Sequence, residues 1–270
     1  MTEWSDCICL NCISGALDPL SWTSEAMIAN IIVLLYLPAL LMGADVVKSD
    51  SPRVKDCSDV YARGYTTSGV YTITTLDGPV KVYCEMASGG LNEQGYWTVI
   101  LRRLDDEVNF YRPWDSYKWG FGNKEGEYWL GLEFLHQLTC RYPYRLRVDV
   151  EDFKGQKAYA VYKSFSVSAE ADGYRLQVSG FVNKGAGDSL SYHNLMKFTT
   201  YDKDQDNSAE NCAIKCHGGF WYNNCYFTNP TGPYLREKES ATVATGINWY
   251  YWKNNYNSLK SITMKIKHVK

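Results

Sequence analysis

Residues 202–210 read Asp202-Lys-Asp204-Gln-Asp206-Asn-Ser208-Ala-Glu210, with three aspartates at alternating positions and a glutamate close behind. Such a run supplies hard oxygen donors. Calcium takes six to eight of them and accepts backbone carbonyls and water beside carboxylates. The EF-hand pattern is not met: Asn207 stands where its glycine belongs, and Ala213 where its bidentate glutamate belongs. On spacing alone, a solvated acidic loop is an equal reading. Catalytic patterns are missing elsewhere. His136, His193, His217 and His268 lie in no HExxH or nucleophile-elbow setting, and Gly187-Asp-Ser-Leu lacks that turn's second glycine. Gly120-Phe-Gly-Asn lacks the rest of a phosphate loop. The protein is expected to bind rather than to catalyse.

Cysteines set the compartment. Of nine, Cys7, Cys9 and Cys12 precede the apolar run Ile31–Met42, which Gly43 and Ala44 follow. That run has the length of a signal-peptide core, with small residues where a peptidase cuts. An uncleaved anchor is the second reading, since Ala26–Val47 approaches spanning length; a buried helix is the third. The first cations, Lys48, Arg53 and Lys55, all follow the run. An anchor would therefore leave the folded part in the cytoplasm by the positive-inside rule. Residues 1–44 are read as a signal peptide with an atypical N-terminal extension, Met27 being the true start, and residues 45–55 as a linker. No stable membrane span is expected in the mature chain. Cleavage leaves Cys57, Cys84, Cys140, Cys212, Cys216 and Cys225, an even set that suits disulfides in a secreted, extracellular protein. A net charge of −2 gives no surface for nucleic acid.

The elements that must hold these residues are mostly strands. Val70–Thr74, Val80–Tyr83, Trp97–Arg102, Tyr144–Val150, Ala158–Tyr162 and Tyr174–Val178 are rich in β-branched and aromatic residues. Trp129–Leu138 repeats Leu or Phe at helical spacing, and Ile262, Met264 and Ile266 alternate within a closing strand over 258–269. Between Asp188 and Asn257 the sequence is rich in Asn, Asp, Gly and Tyr without periodicity, as in a functional loop region held by metal or disulfide. The class is α+β, with a sheet core and one lobe built of loops.

The same segments resemble the fibrinogen C-terminal domain family, which includes ficolins, tachylectins, angiopoietins and tenascins. Asp56-Cys-Ser-Asp-Val, Tyr83-Cys-Glu-Met, Trp97–Arg103, Phe110–Tyr117, Gly126–Glu133, Leu146–Phe153, Ala186–His193, Gly246-Ile-Asn-Trp249 and Ser258-Leu-Lys260 fall in the family's order. The resemblance spans residues 56–270 as one domain. It implies a small N-terminal subdomain, a central, mainly antiparallel sheet and a loop-rich C-terminal lobe. It also implies the pairings Cys57–Cys84 and Cys212–Cys225; Cys140 and Cys216 are extra to the pattern and could bond each other, stay free or join a second molecule. Calcium is the implied cofactor, held by the Asp204 and Asp206 carboxylates and the Ser208 and Glu210 carbonyls, with Asp202 outside the first shell.

In ficolin- and tachylectin-like members, a pocket beside this loop binds acetyl groups next to a cis peptide. The matching peptide here is Asn224–Cys225, and the matching lining positions are Cys216, Tyr226, Val243, Ala244 and Asn255, with Tyr256 one residue on. Ala244 alone is kept, so an aromatic wall and a histidine donor are missing at the expected places. Tyr226, Tyr222, Trp221, Tyr234, Tyr250 and Tyr251 offer stacking surfaces instead, with core packing as the competing reading for each, and Trp221, Trp249 and Trp252 suit the core more than a contact. The implied function is calcium-dependent, lectin-like binding of glycans or related surface groups in innate recognition. The alternative is a protein-binding ligand that meets a receptor or matrix partner through the same lobe. An oligomer is possible, although no stalk sequence is visible.

Overall fold

A computed structural model describes residues 53–86, 95–236 and 245–269. The apolar run 31–42, and Val243 and Ala244, lie outside the described residues. The first helix, α1 (Cys57–Ala62), starts where Asp56 accepts the amides of Ser58 and Asp59. The other oxygen of Asp56 accepts the Tyr144 hydroxyl at 2.7 Å, tying this cap to the sheet. In sequence order the further elements are β1 (Gly69–Thr74), β2 (Pro79–Glu85), β3 (Trp97–Arg103), α2 (Trp114–Trp119), β4 (Phe121–Gly122), β5 (Tyr128–Trp129) and α3 (Leu132–Thr139). They continue with β6 (Tyr144–Glu151), β7 (Lys157–Val167), β8 (Leu176–Lys184), α4 (Cys212–Cys216), α5 (Tyr250–Lys253) and β9 (Ser261–His268).

All the named strands pair antiparallel, in the order β1-β2-β3-β9-β6-β7-β8, with the short β4–β5 pair joined to β3. The last strand in the sequence thus lies at the centre. Its alternating Ile262, Met264 and Ile266 stand opposite Val150, Val148 and Leu146 of β6, and Met264 also stands opposite Leu101 of β3. Directly paired residues share a face, so these side chains form one buried layer. Each contributes roughly 1.5–3 kcal/mol by burial. The expected N-terminal subdomain is continuous with this sheet through the pairs Cys84–Thr98 and Glu85–Trp97.

Several boundaries differ from the sequence reading, β7 and β8 running on to Val167 and Lys184, and two starting points shift for a local reason. The helix expected from Trp129 begins at Leu132, because Tyr128 and Trp129 pair with β3 and Gly131 breaks the run at φ +118°. A Cβ at Gly131 would come within 2.9 Å of the Lys118 carbonyl oxygen. The strand expected from Tyr174 begins at Leu176, since Tyr174 has φ +50°, a left-handed conformation outside any strand.

From Gly185 to Lys260 the described residues hold two short helices, one 3-10 turn at Ser191–His193 and isolated bridges such as Thr199–Phe220 and Thr228–Trp249. Packing replaces ladders there. Trp221 meets Phe198 edge-on at 5.2 Å, Trp129 at 6.1 Å and Phe165 at 6.5 Å, so lobe and sheet share one aromatic core. A buried ion pair ties the two together. Arg103 Nε meets Glu127 at 3.2 Å, and its Nη1 donates to the carbonyls of Pro230 and Gly232 in the lobe. Glu127 also accepts the amides of Leu104, Asp105 and Val108, so its buried charge is well satisfied. No helix among the described residues is long and apolar enough to cross a membrane.

Candidate functional site

The acidic loop is built from both ends. Asp202 lies outside its centre: one carboxylate oxygen accepts the Trp114 amide at 2.9 Å and the Thr200 hydroxyl at 2.7 Å, capping α2 from a distant part of the sequence. Asn211 caps α4 at the other end and reaches back to the carbonyls of Thr200 and Tyr201. Between them, Asp206 is half-buried and accepts the amides of Ser208 at 2.9 Å and Cys212 at 2.8 Å. Asp204 is exposed and accepts the Asp206 amide at 3.3 Å. Burial raises the Asp206 pKa, and the nearby Asp204 carboxylate adds to this against the two amides. Two close carboxylates, one of them half-desolvated, form a donor set that fits a hard divalent cation. Among the described residues no group of three or more His, Cys, Asp or Glu side chains could hold a metal ion. A cation here would therefore need carbonyl or hydroxyl oxygens as well, and Ser208 and the exposed Glu210 lie on the same loop.

Next to this loop is an open pocket of about 640 Å³. Its lining includes Cys216, Asn224, Cys225, Tyr226 and Tyr256, five residues expected from the sequence to form one ligand site. The Asn224–Cys225 peptide is cis, and Cys225 is bonded to Cys212 as expected, with Cα atoms 5.6 Å apart. The other expected bridge, Cys57–Cys84, is also present, with a Cα separation of 5.4 Å. Cys140 and Cys216 carry no disulfide. Asn255 is not part of this pocket; it lines a separate one with Asp152 and Trp252. The register of the loop after α5 turns Tyr256 inward in its place, and Tyr256 meets Tyr226 edge-on at 5.8 Å. An aromatic wall is therefore present, supplied by Tyr226 and, through a one-residue shift from Asn255, by Tyr256.

Sequence reasoning missed Lys215, Phe227 and Thr245, which also line the pocket. All three are sequence neighbours of assigned residues and could have been found by adjacency. Tyr192 had no such signal, yet its hydroxyl donates to the Asn224 carbonyl at 3.1 Å. Rings continue from the pocket across the surface: Tyr192–Phe227 at 4.6 Å, Phe227–Tyr251 at 5.1 Å and Tyr250–Tyr256 at 4.7 Å. Of the stacking candidates, Trp221 and Tyr222 are fully buried and belong to the core, as does Trp249; Trp252 is only half-buried. Loop and pocket are stitched together, since the Asn207 amide donates to the Asn223 carbonyl at 3.2 Å and its side-chain amide to the Asn223 Oδ1 at 2.9 Å. His193 braces the pocket from behind. Its Nδ1 donates to the Trp221 carbonyl at 2.7 Å, and its Nε2 accepts the Phe227 amide at 3.2 Å. Burial pushes this imidazole down to about 4, so it is neutral at physiological pH.

The fold, the two bridges and the loop-built lobe define a domain of the fibrinogen C-terminal type. The family model described as the C-terminal globular domain of the fibrinogen beta and gamma chains matches residues 53–269, and this protein belongs to that family. It is 47% identical over 236 residues to microfibril-associated glycoprotein 4 of Mus musculus, covering 85% of this sequence and 90% of that protein. Among solved structures, it matches the fibrinogen-like globe domain of human ANGPTL6 at 39% identity and a TM-score of 0.75, covering 80% of this sequence and 96% of that one. It also matches lamprey fibrin D-dimer complexed with the peptide Gly-His-Arg-Pro-amide, at 33% identity and a TM-score of 0.72, over 82% of this sequence and 76% of that one. The protein is secreted and extracellular, consistent with its two disulfides.

Proposed function

We propose that this protein is an extracellular recognition module that docks a protein partner of the matrix at the pocket around Asn224–Cys225, with calcium in the Asp204–Glu210 loop stiffening the lobe. The observation that carries the reading is the open pocket, bounded by a half-buried aromatic wall and hydrogen-bonded to the acidic loop through Asn207 and Asn223. Concave apolar walls with a few oriented polar groups suit anchoring side chains. Two relatives support a protein ligand: one is named for its association with microfibrils, and one was solved with a short peptide. The Asp204 and Asp206 carboxylates would bind the ion, with the Ser208 and Glu210 carbonyls beside them. Calcium would neutralise the facing carboxylates and supply no reaction chemistry. The same reading takes residues 1–44 to be removed on secretion and residues 45–55 to be a linker.

Glycan binding is the second reading. It is favoured by the wall of Tyr226 and Tyr256, which restores an apolar surface for a small group such as an acetyl methyl. One experiment separates the two. The purified protein is applied to extracted microfibrils and to a glycan array, each with calcium and with chelator. Calcium-dependent retention on microfibrils, lost in Tyr226→Ala, supports the first reading. An array signal lost in the same variant, without microfibril retention, supports the second. Binding to either surface that is indifferent to Tyr226→Ala would place the contact elsewhere.

A further inference from the structure

Cys212 and Cys216 stand four residues apart on α4, so their side chains project from the same face of the helix, about 6 Å apart along its axis. Both are buried. Cys212 is bonded to Cys225, and Cys216 lines the same pocket as Cys225. A single half-cystine on the facing segment therefore has two sulfurs within about one helical turn of each other to choose from. Cys216 carries no disulfide, and it occupies a position where the resemblance expects a tyrosine.

We propose that Cys216 is an alternative partner for Cys225, so that the lobe has two disulfide isomers, Cys212–Cys225 and Cys216–Cys225. In the direct step the Cys216 thiol gives up its proton and the thiolate attacks Cys225 Sγ. The Cys216–Cys225 bond forms as the Cys212–Cys225 bond breaks, and Cys212 leaves as a thiolate that takes up a proton. The count of thiols and disulfides is unchanged, so no oxidant is needed. Burial pushes the Cys216 thiol up to about 12, which holds the direct step back at neutral pH. A small-molecule thiol opens a second route by attacking the half-buried Cys225 first, releasing Cys212; Cys216 then displaces the small thiol from the mixed disulfide.

The two isomers differ in what they hold together. Cys212 donates its amide to Asp206 at 2.8 Å, so the native bond fastens the acidic loop directly to the pocket segment. The alternative bond fastens the far end of α4 instead and draws Cys216 Sγ out of the pocket wall. The exchange would thus loosen the acidic loop and reshape the pocket in one event, whether or not the loop carries calcium.

The sequence makes the isomers easy to tell apart. Trypsin cleaves after Lys203, Lys215 and Arg236, placing Cys212 on peptide 204–215 and both Cys216 and Cys225 on peptide 216–236. The full-length protein is held without denaturant in a glutathione redox buffer at mildly alkaline pH, quenched in acid, alkylated and digested. The expected product is peptide 216–236 with an internal disulfide, together with peptide 204–215 alkylated at Cys212, several-fold above a thiol-free control. Cys216→Ser should abolish the rearranged form. The proposal is overturned if Cys216 is alkylated in every species, with Cys225 bonded to Cys212 or reduced. The wild-type digest decides the matter even if the variant fails to fold.

Discussion

His193 shows how a residue outside the pocket can govern it. Its imidazole is fully buried, and the neutral ring spends one nitrogen on the Trp221 carbonyl and the other on the Phe227 amide. Protonation would turn Nε2 into a donor facing another donor. The folded value, about 4, lies below the ordinary 6.5, so the unfolded protein binds this proton more readily. The stability contributed by the neutral ring is complete above about pH 6.5 and is lost as the pH falls towards 4. The difference corresponds to roughly 3 kcal/mol, at about 1.4 kcal/mol per pH unit. Urea unfolding at stepped pH should show that decline in the wild type and a flatter profile over the same range in His193→Gln. Parallel profiles would mean that other groups set the acid limit.

At the scale of elements, the acidic loop acts as a brace between α2, α4 and the pocket segment, through Asp202, Asn211 and Asn207. An ion bound only in the folded state stabilises by mass action, about 2.7 kcal/mol at one hundred times its dissociation constant. Thermal unfolding should therefore shift upward by several degrees on adding calcium. Asp204→Ala and Asp206→Ala should remove most of that shift. An equal shift in both variants would dismiss these residues as ligands. The elements that were legible in the sequence are those whose signal is local. The run read as a strand over Trp97–Arg102 and the alternating Ile262, Met264 and Ile266 fall in β3 and β9. What was not legible depends on tertiary placement. The two-residue strands β4 and β5 are too short to show a period, and α4 is ordered by its Asn211 cap and by Cys212. At the pocket the sequence offered both Asn255 and Tyr256; one residue of register after α5, where Asn254 has φ +54°, decides for Tyr256, and no periodicity predicts that choice. The acidic loop, by contrast, was visible from residue type alone.

For the molecule as a whole, β9 is the strand on which the sheet closes. It pairs with β3 on one side and β6 on the other, and without it those two strands have no partner between them. Deleting residues 261–270 should do more than fray an edge. It should leave a product without near-ultraviolet dichroism that aggregates on expression, because two strand edges and the buried layer around Val148 and Leu101 would be exposed. A soluble, folded product of that deletion would show that the lobe and the outer strands can close the sheet unaided.

The central place of β9 also fixes when this protein can exist at all. Synthesis delivers the middle strand after every other named strand, so β3 and β6 lack the partner between them until β9 has been made. During that interval the open gap between β3 and β6 is a surface for chaperones to hold. A frameshift or early stop upstream of Ser261 would therefore cost the strand between β3 and β6 rather than trim an edge. For a protein destined for export, β9 would then serve as a completeness test, passed by molecules whose message has been read through to that strand.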